Sequence, residues 1–156
     1  MLVYIYVQMT ENSPASGMPD EEQLQALGRN TISEALGIEL TAVSHGLVEG
    51  RMPVDQRTHQ PYGMLHGGAS VVLAETLGSV GSHFIAAPLG KAAVGIEVNA
   101  NHLRSVRSGW VIGRARLHHE GGKLHVWHID ITDEDGKAIC TSRLTVMLIP
   151  APQQAG

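Results

Sequence analysis

The hydrophobic residues of this 156-residue chain change their spacing along the sequence. Between residues 19 and 36 they recur at helical intervals, which predicts one or two short helices. Residues 38–45 and 47–54 have the composition of strands, and Gly46 between them predicts a hairpin. The next segment, residues 55–63, is rich in turn formers and is predicted to be a loop.

A longer helix is predicted over residues 65–87, where the hydrophobic residues again follow a helical period. It is apolar on nearly all sides and Glu75 is its only acidic residue, so we expect it to be buried. Beyond it the hydrophobic residues alternate with a period of two, which predicts four strands, at residues 92–100, 110–117, 124–132 and 138–148. The turns at residues 120–123 and 133–136 contain Gly-Gly and Asp-Gly, which we expect to supply the positive φ of tight hairpins.

The order of these elements is typical of an α+β fold, in which the helices are segregated from an antiparallel sheet. Six strands that cover one apolar helix are expected to curl around it, as in the hotdog fold. The length fits a single domain, which we place at residues 18–150. Residues 1–17 are expected to be a dispensable or disordered extension, and residues 151–156 a frayed tail.

Composition narrows the classes of partner and the compartment. The formal charge of -4 and the lack of any Lys/Arg-rich run argue against nucleic acid as a partner. The apolar opening, residues 1–9, is too short to span a membrane and has no basic residue before it, so we expect neither a membrane anchor nor export. Cys140 is the only cysteine, which favours a reducing compartment and a cytoplasmic location.

The long helix carries the groups best suited to chemistry. A carboxylate such as Glu75 is costly to bury among apolar residues without partners, so it is a candidate base or nucleophile, or a group that simply meets water at a gap in the sheet. His66 precedes Gly67 and Gly68, whose amides would project from the helix start as an oxyanion hole or would only allow close packing. Ser79 follows Glu75 by one helical turn and could orient the carboxylate or a water.

Other potential sites are weaker. The nine histidines are dispersed without a metal-binding motif, so we expect no metal, and no Gly-rich nucleotide fingerprint indicates a cofactor. Cys140 lies in an alternating strand without a basic neighbour, which favours inert packing over nucleophilic chemistry. Arg104, Arg107 and Lys123 are candidates for phosphate contacts or ordinary surface residues.

Two segments carry a specific resemblance: residues 52–75, which include Gln60-Pro-Tyr-Gly-Met-Leu-His-Gly-Gly68, and Asn99-Ala-Asn-His-Leu-Arg104. Both strongly resemble the hotdog acyl-CoA thioesterases, and the likeness covers about residues 20–149. Within that family the sequence is most similar to the 1,4-dihydroxy-2-naphthoyl-CoA hydrolases of menaquinone synthesis and the proofreading thioesterases of enterobactin synthesis. The phenylacetyl-CoA and 4-hydroxybenzoyl-CoA thioesterases are more distant.

The resemblance implies a catalytic role for five residues. Glu75 would be the nucleophile or general base, and the Gly67 amide would hold the thioester oxygen. Gln60 and His66 would help to place the carbonyl, and Ser79 would position the attacking water. The resemblance also implies a homo-oligomer, a dimer of dimers, in which Glu75 faces the loop of a partner subunit.

The CoA-binding segments of the family match a second set of positions: Gly95, His102, Leu103, Arg104, Ser105, His119, Gly121, Gly122 and Lys123. The sequence departs from its relatives in one of these segments. Glu120-Gly-Gly-Lys123 replaces a turn that usually has a hydrophobic residue, one glycine and an arginine.

The expected activity is therefore the hydrolysis of acyl-CoA thioesters, with aromatic acyl groups favoured, to the free acid and CoA without a cofactor. A thioester carbonyl is already electrophilic, so a carboxylate with N–H donors for the oxyanion can suffice. Two alternatives are a hotdog dehydratase or hydratase, which the glycines after His66 disfavour, and a non-catalytic acyl-CoA-binding subunit. Neither alternative would release a thiol.

Overall fold

The computed structural model describes residue 19 and residues 21–152. The expected extension at residues 1–17 and the last four residues of the expected tail lie outside this part of the chain. The predicted N-terminal helical region forms two short helices, α1 (Glu21–Gly28) and α2 (Ile32–Leu36). The Thr31 hydroxyl caps α2 by accepting a hydrogen bond from the Ser33 amide.

The predicted strands and the long helix are present with small changes of boundary. The strands are β1 (Glu39–Ser44), β2 (Leu47–Pro53), β3 (His59–Gln60), β4 (Met64–Leu65), β5 (Lys91–His102), β6 (Trp110–Glu120), β7 (Leu124–Asp133) and β8 (Ala138–Pro150). The long helix is α3 (Gly67–Ala86), and a 3₁₀ turn (Ala87–Leu89) follows it.

Six of the strands form one antiparallel sheet in the order β1-β2-β6-β7-β8-β5. Helix α3 packs across one face of this sheet, where its side chains contribute to a single hydrophobic cluster. The predicted α+β hotdog architecture, a sheet curled around one long central helix, is therefore confirmed. Strands β1 and β5 lie at the two ends of the sheet and each has one neighbour in it.

Helix α3 lies close to the sheet because glycines face bulky side chains. A Cβ added to Gly81 would lie 2.4 Å from the Trp127 ring, and one added to Gly78 would lie 2.6 Å from Leu144. The helix side chain of Leu77 in turn occupies the space above Gly113. Substituting these glycines would force the helix away from the sheet, because packed cores do not tolerate added volume.

The helix is long and apolar enough to cross a membrane by length and composition alone. Ten of its residues are nevertheless buried in this fold, including Leu73, Leu77 and Ala86. The apolar composition is therefore explained by its place in the core.

One expectation about the turns is wrong. Among the described glycines, Gly46 and Gly136 adopt positive φ, but Gly121 and Gly122 do not. A hairpin is still present at residues 120–123, and Gly121 is needed there for another reason. A Cβ on it would lie 2.7 Å from His119 Nε2 and 2.9 Å from the Leu124 carbonyl oxygen.

Candidate active site

His66 caps the start of α3 and accepts hydrogen bonds from most of the backbone amides there. Its Nδ1 accepts a hydrogen bond from the Gly68 amide at 2.9 Å. Its carbonyl oxygen accepts from the amides of Ala69 at 3.0 Å and Ser70 at 3.4 Å. Because Nδ1 is an acceptor, the neutral imidazole carries its proton on Nε2, which makes that atom a donor.

Gly67 supplies the one amide at this helix end that has no acceptor in the described part of the chain. The helix dipole adds a partial positive charge at the same point. The space beside Gly67 is occupied by His102, because a Cβ there would lie 2.6 Å from His102 Nε2. The site therefore has one backbone donor instead of the two expected from the Gly-Gly sequence, since His66 engages the amide of Gly68.

Gln60 lies close to this helix end, in the small hairpin of β3 and β4. Its carbonyl accepts from the Gly63 amide at 2.9 Å, and Gly63 has a positive φ of 67°. The guanidinium of Arg107 donates to the carbonyls of Tyr62 at 3.0 Å and Gly63 at 3.4 Å. The Leu65 amide donates to the Val106 carbonyl at 2.8 Å, so the hairpin is fastened to the segment before β6.

Glu75 is half-buried on α3, and its carboxylate lies against the edge strand β5. A Cβ on Gly95 would lie 2.6 Å from Glu75 Oε1. No hydrogen bond to this carboxylate is formed within residues 21–152. Ser79, one turn further along α3, is also half-buried, and its hydroxyl likewise has no partner in that range.

Glu75 and the Gly67 amide cannot act on the same carbonyl group if both come from one chain. They are eight residues apart on one helix, which corresponds to about 12 Å along its axis. A reacting carbonyl carbon has to lie about 3 Å from the attacking group, with its oxygen at hydrogen-bond distance from the donor. One chain therefore provides the two halves of a site at separate positions.

The expected CoA-binding residues fall in three places. Gly95 and His102 lie on β5 against Glu75 and Gly67. Leu103, Arg104 and Ser105 follow β5 in an exposed loop, where the amides of Leu103 and Arg104 donate to the Ile139 carbonyl.

The third place is the β6–β7 hairpin, which includes His119, Gly121, Gly122 and Lys123. Lys91 Nζ donates to the Gly122 carbonyl at 2.6 Å, which ties this hairpin to the start of β5. This role of Lys91 is not evident from the sequence, because Lys91 lies at the opposite end of β5 from His102, 11 residues away.

The side chain of Arg107 has a structural role that the sequence did not predict. It was a candidate for phosphate contact, but its Nη1 holds the hairpin that carries Gln60. The side chain of Arg104 makes no hydrogen bond or ion pair with the described residues. Of the two arginines, Arg104 is thus the one available to a ligand.

Cys140 is buried at 2% exposure, and burial raises the pKa of its thiol, as expected for an inert residue. Residue 19 and residues 21–152 contain no group of three or more His, Cys, Asp or Glu side chains that could hold a metal ion.

A long helix with a donor at its start and a carboxylate two turns later, wrapped by an antiparallel sheet, defines the class of hotdog-fold thioester hydrolases. Residues 62–140 match the model of the thioesterase superfamily. The chain belongs to this superfamily.

Several relatives have names that state an activity. The 1,4-dihydroxy-2-naphthoyl-CoA hydrolase of Escherichia coli is 45% identical over 128 residues, which cover 82% of this chain and 93% of the hydrolase. The proofreading thioesterase EntH of Klebsiella pneumoniae is 49% identical over 121 residues, which cover 78% of this chain and 88% of the relative. The resemblance inferred from the sequence motifs is confirmed.

Solved structures are also similar, among them the following two. A thioesterase of Pseudomonas aeruginosa, with a glutamine replaced by alanine, superposes with a TM-score of 0.82 and 49% identity, covering 86% of this chain and 96% of that one. A Staphylococcus aureus thioesterase has a TM-score of 0.74 and 36% identity, covering 76% of this chain and 98% of that one. It was solved with a glutamine at position 32 replaced by alanine and again with a glutamate at position 47 replaced by alanine.

Proposed function

We propose that this protein hydrolyses acyl-CoA thioesters to the free acid and CoA. Glu75 acts as the nucleophile or as the general base that activates water, and the Gly67 amide stabilises the oxyanion. The observation that carries the proposal is that one helix presents both groups without partners in the described chain, a donor at its N-terminus and a carboxylate two turns later. These are the two components that thioester hydrolysis requires.

The active site is shared between two subunits. Because Glu75 and Gly67 of one chain are about 12 Å apart, the carboxylate of one subunit works with Gln60, His66 and Gly67 of another. Strand β5 is the surface that supports this arrangement. It is twelve residues long, and within the described sheet it pairs with β8 alone.

A long unpaired edge is a template for another strand, so β5 of a second chain can extend the sheet. Glu75 lies directly against Gly95 on this edge strand, which brings the carboxylate to the proposed interface. Two such dimers form the homotetramer that the sequence resemblance implies.

The spacing of Gln60 and Glu75 also supports the assignment. They are 15 residues apart, as are positions 32 and 47 of the Staphylococcus aureus thioesterase, where a glutamine and a glutamate were replaced by alanine. The same two residue types at the same spacing favour Gln60 and Glu75 as the corresponding pair.

Aromatic acyl-CoA esters are the proposed substrate class, and 1,4-dihydroxy-2-naphthoyl-CoA is the specific candidate, because a hydrolase of that ester is 45% identical to this chain. We propose accordingly a role in menaquinone synthesis and a cytoplasmic location. The naphthoyl ester is distinguished from simpler aryl esters by direct comparison of kcat/KM.

A thiol-release assay over aryl, β-keto and straight-chain acyl-CoA esters tests the proposal. We expect hydrolysis of the aryl esters and a loss of about a hundredfold or more in Glu75→Gln, whose amide can neither attack nor accept a proton. A dehydratase or hydratase would release no thiol, and a non-catalytic subunit would bind the esters without turnover. Near-normal hydrolysis by Glu75→Gln would overturn the role of this residue.

Mixing two inactive variants tests the shared site. Glu75→Gln and Gln60→Ala are each expected to be nearly inactive alone, but a hybrid dimer of the two contains one site with both residues intact. Random exchange makes half of the dimers hybrid, so about a quarter of the wild-type activity returns. If the active site lay within one chain, mixing would restore nothing.

A further inference from the structure

The oxyanion site at the start of α3 has a single unpaired backbone donor in the described chain. The amides of Gly68, Ala69 and Ser70 donate to Nδ1 or the carbonyl oxygen of His66. Only the Gly67 amide remains. A negative charge that develops on a carbonyl oxygen is stabilised by several preorganised donors, and the loss of one costs about 10²–10³ in kcat. A side chain next to Gly67 is therefore the place to look for a further donor.

His102 occupies that place. Its Nε2 lies 2.6 Å from the position that a Cβ of Gly67 would take, and its Cδ2 and Cε1 atoms lie at 3.0 Å. In a helix the Cα–Cβ direction tilts toward the N-terminus, which is also the direction in which the unpaired Gly67 amide points. Nε2 consequently lies beside the space in which an oxygen bound to that amide would sit.

The backbone of His102 is held in place, and its exposed imidazole remains chemically available. His102 is the last residue of β5 and pairs with Cys140 of β8, and the next amide, of Leu103, donates to the Ile139 carbonyl at 2.8 Å. The imidazole makes no hydrogen bond to any residue between 21 and 152. A fixed backbone position with an unused ring nitrogen beside Gly67 makes His102 a candidate donor.

We propose that His102 Nε2–H is a side-chain donor to the thioester oxygen, beside the Gly67 amide of the same chain. The proposal rests on the proposed function and adds a catalytic residue to it. The donor is present in the neutral Nε2–H tautomer and in the imidazolium alike, so no proton has to leave His102 during the reaction. The bond strengthens as the oxygen gains charge, which places its effect in kcat.

This role differs from the one that the sequence resemblance implies, in which His102 contacts CoA. A contact with the nucleotide would act equally in the ground and transition states and would change KM for CoA esters alone. A donor to the carbonyl oxygen would change kcat for CoA and pantetheine esters by the same factor. A residue that merely fills the space beside Gly67 would be replaceable by another planar ring.

Three variants separate these roles. His102→Phe keeps a ring against Gly67 but removes the donor, and we expect kcat to fall about 100-fold on aryl-CoA and aryl-pantetheine esters alike. His102→Gln places an amide nitrogen near the position of Nε2, and we expect it to recover most of that loss. His128→Phe, a histidine on the outer face of the sheet that pairs with Asp130, is the matched control and should retain wild-type kcat.

A spectroscopic measurement in Glu75→Gln, which leaves the ester intact, checks the contact itself. Donors that polarise the carbonyl lower its stretching frequency, so the double variant Glu75→Gln/His102→Phe should return part of the way to the frequency in water. Full activity of His102→Phe, or an unchanged frequency in the double variant, would overturn the proposal. The proposed function would then still stand if the wild type releases thiol and Glu75→Gln does not.

Discussion

Glu75 Oε1 lies where a side chain on Gly95 would begin, since a Cβ at that glycine would be 2.6 Å away. The α-carbon of Gly95, on edge strand β5, thus lies directly beside the Glu75 carboxylate. Because φ of Gly95 is not positive, the glycine is required here for space and not for backbone conformation.

Gly95→Ala should lower the activity without a comparable loss of stability. The obstructing atom is at the end of a flexible side chain, so the fold can accommodate the methyl group while the carboxylate moves. A displacement of about 1 Å at a catalytic group can lower the rate by about 10²-fold. We expect kcat to fall by about 10- to 100-fold. Steady-state kinetics and a thermal melt of the same preparation measure the two effects.

The control for this substitution is Gly28→Ala, whose added Cβ would meet Ser33 at an ordinary 3.7 Å. It should leave kcat unchanged. If Gly95→Ala retains full kcat, the carboxylate does not need the position in which it lies here.

Arg104→Ala should weaken the use of CoA esters through KM. The side chain makes no bond within the described chain, and a CoA phosphate is the partner that we expect for it. Loss of one charge-assisted hydrogen bond corresponds to about 1–3 kcal/mol, with kcat largely unchanged. Comparing an acyl-CoA with the matching acyl-pantetheine provides the measurement. Equal impairment of both esters would show that Arg104 is structural.

Arg107→Met should lower kcat, in contrast to Arg104→Ala, which should act through KM. It keeps the length of the side chain but removes the bonds to the carbonyls of Tyr62 and Gly63, which hold the hairpin that carries Gln60. We expect kcat to fall about tenfold on both classes of ester, because a catalytic group loses its fixed orientation. Arg143→Met, an exposed arginine of β8, is the control. A change confined to KM for CoA esters would indicate a phosphate contact instead.

Stability should fall as the solution becomes acidic, because His125 is buried in a neutral form. The Trp127 indole donates to Ser82 Oγ at 2.8 Å, and the same Oγ forms a hydrogen bond of 3.1 Å with Nδ1 of His125. Desolvation lowers the pKa of His125, and the nearby carboxylate of Glu120 opposes this shift. Burial also lowers the pKa of His83.

For a histidine whose pKa is lower in the folded state, the contribution to stability is complete above the unfolded value of about 6.5. It is lost as the pH falls below that value toward the folded pKa. The urea concentration at the midpoint of unfolding should thus be constant between about pH 7 and 8 and should decrease toward pH 5. His125→Gln should reduce this dependence. An equal slope in the variant and the wild type would exclude His125 as a source.

The periodicity of the sequence was sufficient for the large elements, because one face of the sheet and nearly all of α3 are buried. It did not predict β3 and β4, since strands of two residues are too short to display a period. Gly121 shows a second limit. A glycine in a turn suggests positive φ, but a close approach by His119 explains it equally well, and only coordinates separate the two.

The proposed catalytic carboxylate and the helix start were recognisable as candidates because they are close together in sequence. The contacts of Gly95 with Glu75 and of Gly67 with His102 were not, because they join positions 20 and 35 residues apart. The presence of a glycine in the sequence does not indicate which side chain packs against it. The loss of the Gly68 amide to His66 was likewise hidden, since it depends on a rotamer.

The close packing of α3 on the sheet has a consequence for how the family can vary. Trp127 beneath Gly81 prevents the helix from sliding, so the separation between its first amide and Glu75 depends only on the number of residues between them. One inserted residue would move the carboxylate by about 1.5 Å and rotate it by about 100° around the helix axis. We therefore expect insertions and deletions among homologous chains in the exposed turns, such as residues 120–123, and none between residues 67 and 75.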